Sequence, residues 1–197
     1  DPAGQHVLVA DLGLYQILVF KFEAATGQLT PHEVPFVALE PGTGPRHVAF
    51  HPNGRWLYVT GELNSTMSVY AYDRGRLTHQ QTVSSLPADF DGENYPAHVE
   101  VAASGQFLYM SNRGHDSIAV FAIDTAQGGL SLIETAPCGK KPRHFTLDRT
   151  GNWLLVAHQD DNSVIVFQVE PASGKLTRTE ISISIPMPVC LKTAPGR

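Results

Sequence analysis

The chain has 197 residues, of which 42% are hydrophobic and 17% charged, with a net charge of −5. This composition supports a buried core and excludes a disordered tail, and the absence of a basic cluster argues against a nucleic acid partner. No apolar run is long enough to cross a membrane as a helix. Cys138 and Cys190 fit neither a disulfide framework nor a metal-site spacing, so we expect free thiols, no metal and a cytoplasmic location.

A block of fourteen residues recurs four times along the chain, starting at residues 7, 57, 108 and 154. Each copy follows a glycine, and successive glycines are 50, 51 and 46 residues apart. A fixed period of this length with strand-like content is typical of a β-propeller, in which each repeat is one blade. A β-sandwich does not predict repeats of near-equal length. A helical fold is disfavoured because 17 glycines and 14 prolines interrupt every apolar run. The glycines that precede the four copies of the block are Gly4, Gly54, Gly105 and Gly151.

The repeat at 45–86 predicts four short strands in chain order. An alternating segment begins at Arg46, a Pro-Asn-Gly turn follows, and two apolar segments cover 56–60 and 67–72. A second turn precedes the fourth strand, which begins at Leu77. We therefore predict an all-β propeller of four-stranded antiparallel blades in a single domain over 1–197. About four blades are expected, at approximately 1–40, 45–86, 96–137 and 142–185.

The signal for a first strand is a proline followed by an alternating run, and it occurs at Pro45, Pro96, Pro142 and Pro188. The first repeat lacks this signal. We therefore predict that residues 188–192 supply its first strand, as in propellers that close by exchanging a terminal strand. Two alternatives stay open: the chain is part of a larger, seven-bladed ring, or copies self-associate to complete a ring. An open arc exposes sheet faces, which favours association.

One rim of the predicted blades carries a set of polar residues. The start of a first strand and the end of a second strand lie at the same rim, near the central channel. When the four fourteen-residue blocks are aligned, the residues in the sixth column are Leu12, Glu62, Arg113 and Gln159. The strand pattern is therefore the same in every block, while the side chain at this position differs. An asymmetric ligand site on a symmetric scaffold needs this combination. The residues expected at this mouth are Arg46, Arg113, Arg143, His47, His98, His144 and Glu62.

This set of residues suits an anionic ligand, because guanidinium groups bind carboxylate or phosphate at two points. A histidine or Glu62 can activate water as a general base, and an arginine can stabilise a developing oxyanion. The alternative for each histidine, favoured when it is considered singly, is a repeated structural contact with the next blade. Because no nucleophile motif or glycine-rich phosphate loop occurs, covalent catalysis is disfavoured.

Several motifs resemble the seven-bladed propeller lactonases of the bacterial 6-phosphogluconolactonase type, which are related to carboxymuconate-lactonizing enzymes. The resemblance covers the C-terminal half of such proteins. It implies hydrolysis of a phosphorylated or acidic sugar lactone, with a small anionic lactone as the partner and no cofactor. The motifs are PGTGPRHVAFHPNGRWLYV at 41–59, SNRGHDSIAVF at 111–121, GKKPRHF at 139–145, LLVAHQDDNSVIVF at 154–167 and PMPVCLK at 186–192.

The resemblance implies that Arg46, Glu62 and Arg113 are catalytic. From their predicted place at the same mouth, we expect the substrate-binding residues to be His47, His98, Arg143 and His144. It places a further histidine in a strand before Asp1, so we expect this chain to lack a complete active site. Where the family usually has asparagine before Glu62, this chain has Gly61. LYVTGELNSTMSVY at 57–70 also resembles the YVTN-type repeats of surface-layer proteins. The alternatives are therefore a non-catalytic binding propeller and an excised half-propeller.

Overall fold

The computed structural model describes residues 1–193, which form fifteen strands in four antiparallel sheets. The predicted all-β fold of repeated antiparallel blades is confirmed. The first blade contains β1 (His6–Asp11), β2 (Gln16–Glu23) and β3 (Gln28–Ala38); the second contains β4 (Pro45–Phe50), β5 (Trp56–Gly61), β6 (Thr66–Asp73) and β7 (Arg76–Ser84); the third contains β8 (Tyr95–Val101), β9 (Phe107–Arg113), β10 (Ser117–Ile123) and β11 (Leu130–Pro137); and the fourth contains β12 (Pro142–Leu147), β13 (Trp153–His158), β14 (Ser163–Val169) and β15 (Leu176–Ser184).

The turns repeat as closely as the strands. The glycine before each block has a positive φ, between 66° and 74°, which explains why glycine recurs there. The ninth residue of each block is also left-handed, with φ between 50° and 56°, in the turn between the second and third strands. Aspartate and asparagine tolerate this conformation better than other residues with a side chain. These ninth residues are Tyr15, Ser65, Asp116 and Asn162.

The core lies between neighbouring blades. Tyr58 and Met67 of the second blade pack with Met110 and Phe121 of the third, and a similar cluster joins the third blade to the fourth. Because both faces of the middle strands are covered, these strands are apolar along almost their whole length. The Tyr58 hydroxyl donates a hydrogen bond to the Gly128 carbonyl at 3.1 Å. One repeat later, Tyr109 makes the same bond to Gly174 at 3.0 Å.

The first blade differs from the expectation, because in this single chain it has three strands. Residues 188–192 form no strand, and the Leu191 amide instead lies 3.4 Å from His144 Nδ1, beside the fourth blade. The innermost strands of the last three blades contact one another in the order β4, β8 and β12. β1, which corresponds to the second strand of the other blades, contacts β4, and there is no comparable contact between β12 and β1 among residues 1–193. Residues 188–192 therefore remain next to the blade they follow. No helix in this part of the chain is long and apolar enough to cross a membrane.

Candidate active site

The innermost strands of the second, third and fourth blades each break register at their Pro-x-His segment. In a regular strand, consecutive side chains point to opposite faces, so Arg46 and His47 would separate. The irregularity in β4 places both on one side, where Arg46 Nη1 lies 3.0 Å from His47 Nε2. Bulges of this kind commonly redirect side chains next to functional sites.

Glu62 lies between two arginines. Its Oε2 atom is 3.1 Å from Arg46 Nε, and its Oε1 atom accepts a hydrogen bond from Arg113 Nη2. The three side chains are only 12–18% exposed, so solvent screens these ion pairs weakly. Arg46 and Glu62 belong to the second blade and Arg113 to the third. The structure therefore brings together the three residues that the sequence predicts to be catalytic, and that role stays a prediction.

Main-chain carbonyl groups of β8 hold both arginines. Arg113 Nε donates to the Tyr95 carbonyl at 2.9 Å, and Arg113 Nη2 lies 3.4 Å from the Pro96 carbonyl. Arg46 Nη1 donates to the Ala97 carbonyl at 2.7 Å. Three consecutive carbonyl groups thus fix two guanidinium groups around one carboxylate. Sequence reasoning missed these acceptors, because a backbone carbonyl leaves no mark on residue type.

Gly61 orients the backbone that carries Glu62. The Glu62 amide donates to the Gly44 carbonyl at 2.8 Å. A Cβ atom on Gly61 would lie 2.4 Å from Asn64 Oδ1 and 2.7 Å from Thr66 Oγ1. These two atoms bond each other at 2.7 Å. In this chain Asn64 therefore occupies the space beside residue 61, which gives a physical reason for glycine at this position.

The three predicted histidines form a continuous group across three blades. His47 Nδ1 lies 3.1 Å from His98 Nδ1, and the rings of His98 and His144 stack with centroids 3.9 Å apart. Burial and the Arg46 charge lower the pKa of His47 to about 4. Burial and the neighbouring His144 lower the pKa of His98 to about 3. Burial also lowers the pKa of His144. All three rings are therefore neutral at pH 7.

Arg143 lies near this group but differs from the other two arginines. Its Nη1 atom lies 3.3 Å from Gln159 Oε1, and it forms no ion pair within residues 1–193. Its positive charge contributes to lowering the pKa of both Arg46 and His47, so it belongs to the same electrostatic environment. Arg143 is thus a half-buried guanidinium without a carboxylate partner in the described chain.

Glu100 is a member of this site that sequence reasoning did not select. Its carboxylate accepts from the Leu147 amide at 3.3 Å, and Oε2 lies 4.0 Å from His98 Nε2. Burial raises the pKa of Glu100. Alternation along β8 was the available signal, because residues 98 and 100 share one face of a strand. In the described residues, no three His, Cys, Asp or Glu side chains are placed to hold a metal ion.

The comparisons with known proteins agree with this architecture. Residues 1–193 match the family described as "Lactonase, 7-bladed beta-propeller". The chain belongs to this lactonase family. The resemblance seen in the sequence is therefore confirmed.

Among curated proteins, this lactonase-family chain is 34% identical over 194 residues to the 6-phosphogluconolactonase of Bacillus subtilis strain 168, covering 97% of the chain and 54% of that protein. It is 40% identical over 124 residues to an uncharacterized protein of Lactococcus lactis subsp. cremoris strain MG1363, covering 62% of the chain and 35% of that protein. The chain thus spans about a third to a half of the length of these relatives.

Solved structures give the same result. The periplasmic gluconolactonase of Pseudomonas aeruginosa superimposes with a TM-score of 0.91 at 35% identity, covering 97% of this lactonase-family chain and 54% of that one. A protein from Lactobacillus plantarum superimposes with a TM-score of 0.88 at 36% identity, covering 94% of the chain and 54% of that one. The four blades therefore correspond to about half of a propeller of this kind.

Proposed function

We propose that this chain carries the arginine and glutamate part of a lactonase site that hydrolyses an anionic, phosphorylated sugar lactone. The observation that carries the proposal is the ion-paired group formed by Arg46, Glu62 and Arg113 at the rim between the second and third blades. The name of the Bacillus subtilis relative supports this choice of substrate. Both cysteines are free thiols, which supports the cytoplasm as the proposed location.

The charge of the group favours a dianionic ligand. Four cationic groups, Arg46, Arg113, Arg143 and Lys192, outnumber the two carboxyl groups, Glu62 and Glu100, by two. The three histidines beside them are neutral. A phosphate monoester carries about −1.5 to −2 charges at pH 7. Partly buried arginines bind such a group strongly, because charge-assisted hydrogen bonds gain strength away from bulk water. A neutral lactone would leave this positive charge unbalanced.

The same residues can perform hydrolysis without a covalent intermediate. Two lone-pair positions of the Glu62 carboxylate accept from the arginines, and the others can hold a water molecule and take its proton. The water oxygen bonds to the lactone carbonyl carbon while an arginine stabilises the oxyanion. The ring C–O bond then breaks, the ring oxygen takes the proton from Glu62, and the hydroxy acid leaves.

The test is hydrolysis of 6-phosphogluconolactone by this chain. The rate is measured from the acid released while the pH is held constant. Because the chain carries only part of the site, we expect a rate that is low but above the uncatalysed background. It should fall towards the background in Arg113→Ala and stay unchanged in Arg149→Ala, which serves as the exposed control. Equal rates for the wild-type chain, both variants and the background would overturn the proposal. A non-catalytic propeller would then be the better description.

A further inference from the structure

The hydrogen bonds around Arg46 fix the protonation of His47. A guanidinium group donates hydrogen bonds and accepts none. Arg46 Nη1 lies 3.0 Å from His47 Nε2, so Nε2 must be the unprotonated nitrogen of the ring. A neutral imidazole carries one proton, which places it on His47 Nδ1. This tautomer follows from donor chemistry alone.

The same argument determines the tautomer of His98 in the third blade. His47 Nδ1 lies 3.1 Å from His98 Nδ1, and only one of two bonded nitrogens can carry the hydrogen. Because His47 Nδ1 is the donor, His98 Nδ1 accepts and the proton of His98 is on Nε2. That N–H faces Glu100, whose Oε2 atom is 4.0 Å away. Glu100 in turn accepts from the Leu147 amide of the fourth blade.

We propose that His47 and His98 are positioning residues that hold the Arg46 guanidinium through a chain of hydrogen bonds with fixed tautomers. The chain runs from Arg46 through both rings towards Glu100 and crosses from the second blade to the third. Arg46 is held at three points, by Glu62, by the Ala97 carbonyl and by His47. The assignment of the two tautomers is independent of the proposed lactone hydrolysis, whereas the role of Arg46 in orienting a lactone rests on the proposed function.

Two consequences follow for the site. The lone pair of His47 Nε2 is occupied by Arg46, so His47 does not act as the general base while this contact holds. Protonation of either ring would turn both of its nitrogens into donors and break the chain. The groups that face the two rings are Arg46, Arg113, Arg143, His144, Lys192 and Glu100. Most of them are cationic and therefore oppose protonation.

The direct test is the ¹⁵N NMR spectrum of the histidine rings in this chain, which needs no substrate. We expect a protonated, pyrrole-type Nδ1 and a pyridine-type Nε2 for His47, and the reverse assignment for His98. The assignments come from His47→Asn and His98→Asn, each of which removes one ring. The opposite tautomer at either ring, or a doubly protonated ring at pH 7, would overturn the proposal.

A second measurement separates positioning from general stability. In His98→Asn the side-chain oxygen keeps an acceptor near the place of Nδ1, whereas His98→Leu removes the acceptor. We expect the separate Nη signals of Arg46 to persist in His98→Asn and to average in His98→Leu, with both variants folded. Averaging in both variants, or in neither, would contradict a role for His98 in holding Arg46. If the tautomers are as expected but the chain hydrolyses no lactone, only the proposed function fails.

Discussion

Glu62 and Arg113 are 51 residues apart in the chain, yet their side chains form an ion pair across two blades. Both residues occupy the sixth column of the fourteen-residue block, one in the second blade and one in the third. Neighbouring blades place equivalent positions side by side, so opposite charges in one column meet directly. Arg46 joins the pair from β4 and completes a group with two cations around one anion.

Replacing Glu62 by glutamine should destabilise the fold, because two partly buried arginines lose their counter-charge. Breaking a fully buried ion pair costs about 3–5 kcal/mol, and a surface pair costs about 0–1 kcal/mol. For these partly buried groups we expect the free energy of unfolding to fall by about 2 kcal/mol, measured by urea denaturation.

Glu33→Gln is the matched control for this change. Glu33 pairs with Lys21 at 3.3 Å, but both side chains are largely exposed, so little change in stability is expected. If Glu62→Gln and Glu33→Gln had equal small effects, the ion pairs of Glu62 would contribute nothing specific to folding.

The meeting of Glu62 with Arg113 could be predicted from the sequence, because repeat columns become neighbours in a propeller. The contact between Arg46 and His47 could not be. Strand alternation predicts that consecutive residues point apart, and the irregularity of β4 that reverses this is a backbone feature. The carbonyl groups of β8 that hold both arginines were unpredictable for the same reason.

The prediction for residues 188–192 shows a different limit of sequence reasoning. These residues carry the first-strand pattern, but a strand forms only when an edge is available for pairing. The free edge of the first blade belongs to β1, and in this single chain residues 188–192 lie beside the fourth blade instead. A local pattern can indicate strand propensity, whereas the pairing partner depends on how the blades close.

Arg143→Gln should weaken the binding of a phosphorylated ligand selectively. Among the three arginines of the site, Arg143 is the one without an ion-pair partner within residues 1–193, so its charge is available to the ligand. A hydrogen bond to a charged group contributes about 1.5–3 kcal/mol, which corresponds to a loss of roughly 10- to 100-fold in affinity. Calorimetric titration with 6-phosphogluconate measures this loss directly.

Gluconate, which differs from 6-phosphogluconate only by lacking the phosphate, and Arg149→Gln provide the controls for Arg143. The affinity for gluconate should be unchanged in Arg143→Gln, and Arg149→Gln should bind both ligands as the wild type does. Equal weakening for the two ligands would show that Arg143 supports the shape of the site rather than selectivity for the phosphate.

Stability should fall as the pH drops from about 6.5 to about 4. Burial lowers the pKa of His47 and His158 to about 4 and that of His98 to about 3, so the unfolded chain binds protons in this range and the folded chain does not. Each such group removes up to about 1.4 kcal/mol per pH unit below its unfolded pKa. We expect a loss of at least about 2 kcal/mol between pH 7 and pH 5 in urea denaturation. Glu100 has a raised pKa and acts in the opposite direction over part of this range, so the measured loss is the net of the two effects.

His158→Asn tests this pH dependence at one position. His158 is fully buried, and neither ring nitrogen has a hydrogen-bond partner in the described chain. Asn112 holds the equivalent position of the third blade and accepts from Ser85 Oγ at 2.9 Å, so asparagine fits this place in the repeat. The variant should lose less stability on acidification than the wild type. An unchanged slope would mean that His158 titrates as in the unfolded chain.

The chain should self-associate through the apolar faces of its terminal blades. Leu14 is 64% exposed in the first blade, and Ile181 and Ile183 are 59% and 57% exposed on β15. Exposed apolar side chains on the terminal blades favour association, because a second copy can cover them. Light scattering after size exclusion should give a mass that rises with concentration, and Ile181→Lys with Ile183→Lys should shift it towards the monomer.

Ser182→Lys introduces the same charge on the opposite face of β15 and should leave the mass unchanged. A monomer at all concentrations would show that these faces do not drive association.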